Sequence, residues 1–144
     1  RLLGVPPQRD ANDPEVQQGQ QLFYEVGCAH CHAPALTTGQ AHPFVELRGQ
    51  SIRPYSDLLL HDMGPELADQ SGIENPREWR TAPLWGVGLS QTVQGYVALL
   101  HDGRAASVIE AVLWHGGEAQ AARDRVLALP APQRAALLRF VESL

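Results

Sequence analysis

Two cysteines stand two residues apart in Cys28-Ala29-His30-Cys31-His32, and they are the only cysteines among 144 residues. No other feature constrains the fold as strongly, because a cysteine pair with an adjacent imidazole implies a centre around which the chain must close. Three chemistries use such a string. A redox dithiol needs only Cys-x-x-Cys and belongs near a strand–helix–strand pattern, which this sequence lacks. A structural zinc site wants four ligands, and the other histidines (42, 61, 101 and 115) are scattered singly. Covalent haem attachment alone uses all three residues: the thiols meet two vinyl groups on one porphyrin edge while His32 reaches the iron. The string therefore points to one covalently attached haem c, held by Cys28 and Cys31 with His32 as proximal ligand.

The surrounding pattern predicts helices at both ends of the chain. Asp13 is an N-cap, Pro14 suits the first helical position, and Val16, Phe23 and Val26 share one face until Gly27 ends the helix. Ser107 and Glu110 form a capping box for a helix through Trp114. Further helices are expected over 118–129 and from Pro132 to the end, the last with Leu137, Phe140, Val141 and Leu144 on one stripe. Residues 33–106 are poor in periodicity, with short helices expected only near 55–62 and 66–70. So long an aperiodic segment needs something else to order it, and a large rigid ligand would do so. An attachment motif after the first amphipathic helix, with another such helix at the end, is similar to the small cytochromes c. Gly19 would let the two helices cross closely, with Phe23 and Phe140 filling the contact. The expectation is an all-α fold: an extended lead-in over 1–13, then a cytochrome c-like domain over 14–144 with long loops wrapped around one haem.

A formal charge of −5 and a pI near 5.6 argue against a nucleic-acid partner. No apolar run approaches the roughly 20 residues of a membrane span. Thioether attachment of haem takes place outside the bacterial cytoplasm, so a periplasmic or otherwise exported protein is expected. The absence of an initiating methionine suggests a processed terminus or part of a longer polypeptide.

Several later strings point further: PYSDLLLHDMGPELAD (54–69), EWRTAPLWGVG (78–88), LLHDGRA (99–105), EAVLWHGGEA (110–119) and RAALLRFVESL (134–144). Together they resemble the C-terminal domain of the bacterial di-haem oxidoreductases, a family also labelled thiol oxidoreductase and related to the di-haem cytochrome c peroxidases. The resemblance implies a haem domain that passes electrons, the peroxide-reacting haem belonging to an upstream half not represented by a second motif here. The implied partner is a redox protein or a second haem domain of the same precursor. The alternative is a haem enzyme or sensor whose open or displaceable sixth position meets peroxide or a small gas, so catalysis by this chain stays undecided.

The sixth ligand has two candidates. Met63, the only methionine, offers a thioether from a loop, although a lone methionine more often fills a core. His115 follows the capped helix, where the small cytochrome c layout and a comparable peroxidase helix place the ligand. Its neighbours Gly116 and Gly117 would let backbone approach the porphyrin, and an ordinary helix-capping histidine is the plainer reading. Helix order favours His115. His101 matches a His-Asp-Gly string shared with the peroxidases, which implies a role in shaping the haem surroundings. Arg80 and Arg104 lie in matching strings and are candidates to pair with haem propionates, whereas Arg48 and Arg53 carry less signal. Trp79, Trp85 and Trp114 are candidates for the pocket wall, or simply for core. His61 is expected to be structural and His30 to face solvent.

Overall fold

The computed structural model describes residues 5–72 and 74–144. Residues 1–4 of the expected lead-in lie outside the described residues. Among the described residues there are five α-helices: α1 (Pro14–Glu25), α2 (Ser90–Gln94), α3 (Val108–Leu113), α4 (Gln120–Ala128) and α5 (Ala131–Ser143). None is long and apolar enough to cross a membrane.

The helices begin where the side chains supply caps. Asp13 accepts a hydrogen bond from the Glu15 amide at 2.8 Å, and Pro14 occupies the first turn. Ser107 accepts from the Glu110 amide, while the Glu110 carboxylate reaches past Ser107 to the Ala106 amide at 2.8 Å. The capping box thus closes one residue earlier than its sequence form suggests. α5 follows Pro130 and has no side-chain cap.

α1 and α5 cross at Gly19. A methyl group there would stand 2.6 Å from the Phe140 Cβ and would drive into the Ala136 carbonyl, so only glycine permits the approach. Phe23 and Phe140 meet edge to face at 5.3 Å, and Tyr55 packs against both, at 5.9 and 5.8 Å. Val16, Leu137, Val141 and Leu144 complete this core, with Val126 brought in from α4. Burying each of the two phenylalanines stabilises the fold by roughly 1.5–3 kcal/mol. Residues 8–13 strap the far end of α5: the Arg9 amide donates to the Ser143 carbonyl at 2.8 Å, and Arg139 pairs with Asp10 at 3.3 Å.

The all-α expectation is corrected. The long middle segment holds two antiparallel two-stranded sheets, β1 (Leu36–Thr37) with β2 (Ser51–Ile52) and β3 (Leu60–Asp62) with β4 (Glu78–Arg80), so the fold is mixed α/β. In the second sheet Leu60, His61 and Asp62 face Arg80, Trp79 and Glu78. The physical reason is backbone accounting: a segment without helical periodicity must still pair its amides and carbonyls, and short ladders do this across loops. The helix expected over 55–62 is replaced by extended chain with left-handed turns at Tyr55 and Leu58 (φ 52° and 61°). Near 66–70 only a single 3₁₀ turn forms, at Pro65–Leu67.

Candidate functional site

The attachment string lies where α1 stops. Gly27 adopts a left-handed conformation, and Cys28–His30 make one 3₁₀ turn that carries both thiols and His32 to the wall of a cavity of about 470 Å³. That volume falls within the usual range for a bound cofactor. Both cysteines are free thiols. Burial pushes the Cys28 thiol up to about 11 and raises Cys31 as well, the latter helped by the charges of Asp57 and Glu118.

His32 is positioned by the main chain. The Ser56 and Asp57 amides donate to the carbonyls of Ala33 (3.0 Å) and Cys31 (2.8 Å), which presses residues 55–57 beneath the motif. The buried Ser56 hydroxyl donates to the Thr81 carbonyl at 2.7 Å and accepts from the Leu58 amide at 3.0 Å. This anchorage aims the Tyr55 carbonyl at His32, whose Nδ1–H donates to it at 2.9 Å. With Nδ1 occupied, Nε2 carries the free lone pair. Burial pushes His32 down to about 4, more than offsetting that hydrogen bond, so the ring is neutral at ordinary pH.

His115 repeats the arrangement. Its Nδ1–H donates to the Ala111 carbonyl at 2.7 Å, one turn back in α3, and burial lowers its pKa in the same way. The two ring centroids are 6.4 Å apart with their planes at 40°. Two imidazoles on opposite sides of one metal ion, each at a bond of about 2 Å and with about 1.1 Å from ring nitrogen to centroid, would stand about 6.2 Å apart. Two neutral imidazoles with anchored Nδ1 and free Nε2 fit a six-coordinate iron between them, and two thiols at the rim fit the porphyrin edge.

Met63 also lines the cavity. Its main chain packs on the residues after His115: a Cβ at Gly116 would lie 2.8 Å from the Met63 carbonyl. Gly117 (φ 50°) lets Asp62 and Gly64 approach closely, so these glycines admit neighbouring backbone, where the sequence suggested an approach to porphyrin. His101 lines the cavity and stacks on Trp79 at 4.7 Å and 11°, while the Trp79 indole donates to the Leu67 carbonyl. Arg80 lines the wall and donates to the Leu58 carbonyl. Arg104 is not brought to the wall: it pairs with Asp102 at 2.6 Å, donates to the Glu66 carbonyl and lies over Trp114 at 4.7 Å. Arg48 is turned to the His42 carbonyl and Arg53 is exposed, whereas His30 is exposed at the cavity's edge.

Three contributors have no signature in the string. Asp57 and Glu118 grip His61 from both sides, each 2.8 Å from one ring nitrogen, and the Glu118 hydrogen bond leads the effects that raise the His61 pKa. Asp57 and His61 also lie within metal-binding reach of Cys31. With both ring nitrogens donating to carboxylates, His61 has no lone pair to offer, so this cluster is an ion-pair group.

A family model described as "Di-haem oxidoreductase, putative peroxidase" matches residues 1–144. Among solved structures, hydrazine synthase from Kuenenia stuttgartiensis, pressurized with 20 bar xenon, is similar in fold, with a TM-score of 0.53 and 18% identity. The match covers 96% of this chain and 49% of that one, so the chain spans about half the length of its structural relative. No curated protein matches the sequence.

Proposed function

The chain belongs to the di-haem oxidoreductase family, a family of haem proteins, and from that premise we propose that it is a c-type haem domain that transfers electrons. In this reading Cys28 and Cys31 hold the porphyrin through thioethers, and His32 and His115 take the two axial positions. The observation that carries it is the 6.4 Å separation of two half-buried imidazoles whose Nδ1 atoms are both tied to backbone carbonyls.

When bound, the haem supplies a one-electron couple of its iron. The chain's own residues set the conditions. Tyr55 and Ala111 carbonyls fix the ring orientations and raise the basicity of the ligating nitrogens. Desolvation favours the neutral, ligating form of both rings. Paired histidines set a lower potential than a methionine would. With both axial positions taken by protein, peroxide and small gases meet no open site, which favours electron transfer over the enzyme or sensor alternative.

A single attachment motif in a family described as di-haem supports a redox partner that is either a separate protein or a second haem domain of the same precursor, with this chain as the C-terminal part. Thioether attachment carries with it a periplasmic or exported location. Arg80 and His101, which both line the cavity, are the candidates for the porphyrin surroundings.

Absorption spectra of the ferric and ferrous holoprotein, with and without carbon monoxide, test the reading, and a pyridine haemochrome assay tests covalent attachment. The native and Met63→Ala proteins are expected to be low-spin and slow to take carbon monoxide, and His115→Ala to take it at once. Prompt binding by the native protein would overturn the transfer reading. A near-infrared sulfur-to-iron band lost in Met63→Ala would overturn the ligand assignment.

A further inference from the structure

His115 sits just past a six-residue helix with no fully buried residue, and two glycines follow it. So short a helix is marginal by itself, and glycines add no stiffness beyond it. The restraint comes from elsewhere. Glu118, three residues on, gives one carboxylate oxygen to His61 Nδ1 at 2.8 Å and accepts the Asp62 amide with the other at 3.1 Å. The opposite edge of His61 meets Asp57 at 2.8 Å, and the Asp57 amide is bonded to the Cys31 carbonyl at 2.8 Å. The chain of contacts therefore runs from the segment bearing Cys31 and His32, around the rim of the cavity, to the segment bearing His115.

We propose that Asp57, His61 and Glu118 form a clasp that fixes the seating of His115 opposite His32. The inference rests on the reading of His115 as the sixth ligand. These are positioning residues: none needs to touch the iron, and none belongs to the α1–α5 core. Opening the clasp leaves the 116–119 turn held to the 61–64 turn by backbone packing alone, and His115 leaves the iron more often. A departing ligand is directly observable, because carbon monoxide captures ferrous haem only when the sixth position is vacant.

The test is carbon monoxide capture by the reduced holoprotein, followed by stopped-flow absorption, in native protein, Glu118→Ala, His61→Leu, Glu118→Gln and His115→Ala. Glu118→Ala and His61→Leu are expected to capture roughly tenfold faster than native or more, the change that follows loss of a charge-assisted hydrogen bond. Glu118→Gln keeps an oxygen for Asp62 and an amide for a neutral His61, and is expected within about twofold of native. Haem content and melting temperature are read on every variant. A clasp variant with a lowered melting temperature but a native capture rate marks a purely structural contact and refutes the proposal. Acceleration in Glu118→Ala without acceleration in His61→Leu also refutes it, since Glu118 would then act through Asp62 alone. His115→Ala separates the two levels. If it captures at once while both clasp variants stay native, the clasp falls and the ligand reading stands. If it captures no faster than native, the ligand reading fails and takes the clasp with it.

Discussion

Replacing Gly19 by alanine tests the helix crossing on which the whole pocket is hung. In an isolated helix the change would be favourable by about 1 kcal/mol, because alanine is the better helix former. Here the added methyl meets the Phe140 Cβ at 2.6 Å and the Ala136 carbonyl, which is main chain and cannot swing aside. Overpacking of this kind costs about 1–3 kcal/mol, and a rigid neighbour places the cost at the upper end. The net expectation is destabilisation by about 2 kcal/mol, or about 8 °C in melting temperature for a chain of this size. Thermal unfolding of the holoprotein, followed by far-ultraviolet circular dichroism, is the assay. Gly39→Ala is the matched control, since a Cβ there meets nothing within 4 Å and its φ is not in the left-handed region. It should be neutral or slightly stabilising through the unfolded state, by about 0.4–1 kcal/mol. If Gly19→Ala melts with Gly39→Ala, the two helices do not approach closely at Gly19.

Two further substitutions probe the segment beneath the motif. Ser56→Ala removes a fully buried hydroxyl and leaves the Thr81 carbonyl and Leu58 amide without it, so a loss of about 1–3 kcal/mol is expected in chemical denaturation; an unchanged midpoint would show that this anchorage contributes nothing. Leu58 has φ 61° and an exposed side chain, so Leu58→Asn, which tolerates that conformation, is expected to stabilise by about 0.5–1 kcal/mol. A lowered denaturation midpoint would show that contacts of the leucine outweigh its strain.

The terminal helices were legible because their information is local. Asp13 and Pro14 mark a start, and the stripe through Leu137, Phe140 and Val141 repeats at helical spacing. The motif was legible because it is contiguous. The middle was not, since strands of two and three residues are too short to show alternation. The run Leu58-Leu59-Leu60 falls within the short helix expected near 55–62, yet all three side chains are exposed, on a left-handed turn at Leu58 and the extended chain after it. Asp57 and His61 stand four apart, as on a helix face, and in fact meet across a bend. Glu118 is the other partner of His61, 57 residues away, and no local pattern announces it.

Both axial candidates take their orientation from carbonyl oxygens, those of Tyr55 and Ala111. Every amino acid supplies a carbonyl, so no substitution at either position removes the acceptor itself. The aim of each imidazole is thereby insulated from mutation as long as the backbone path holds. Sequence drift around such a centre is then constrained where side chains hold that path: the Ser56 anchorage, the Asp57–His61–Glu118 contacts and the glycine at the helix crossing. Chains sharing this architecture can therefore diverge widely in side chains while presenting the same pair of nitrogens.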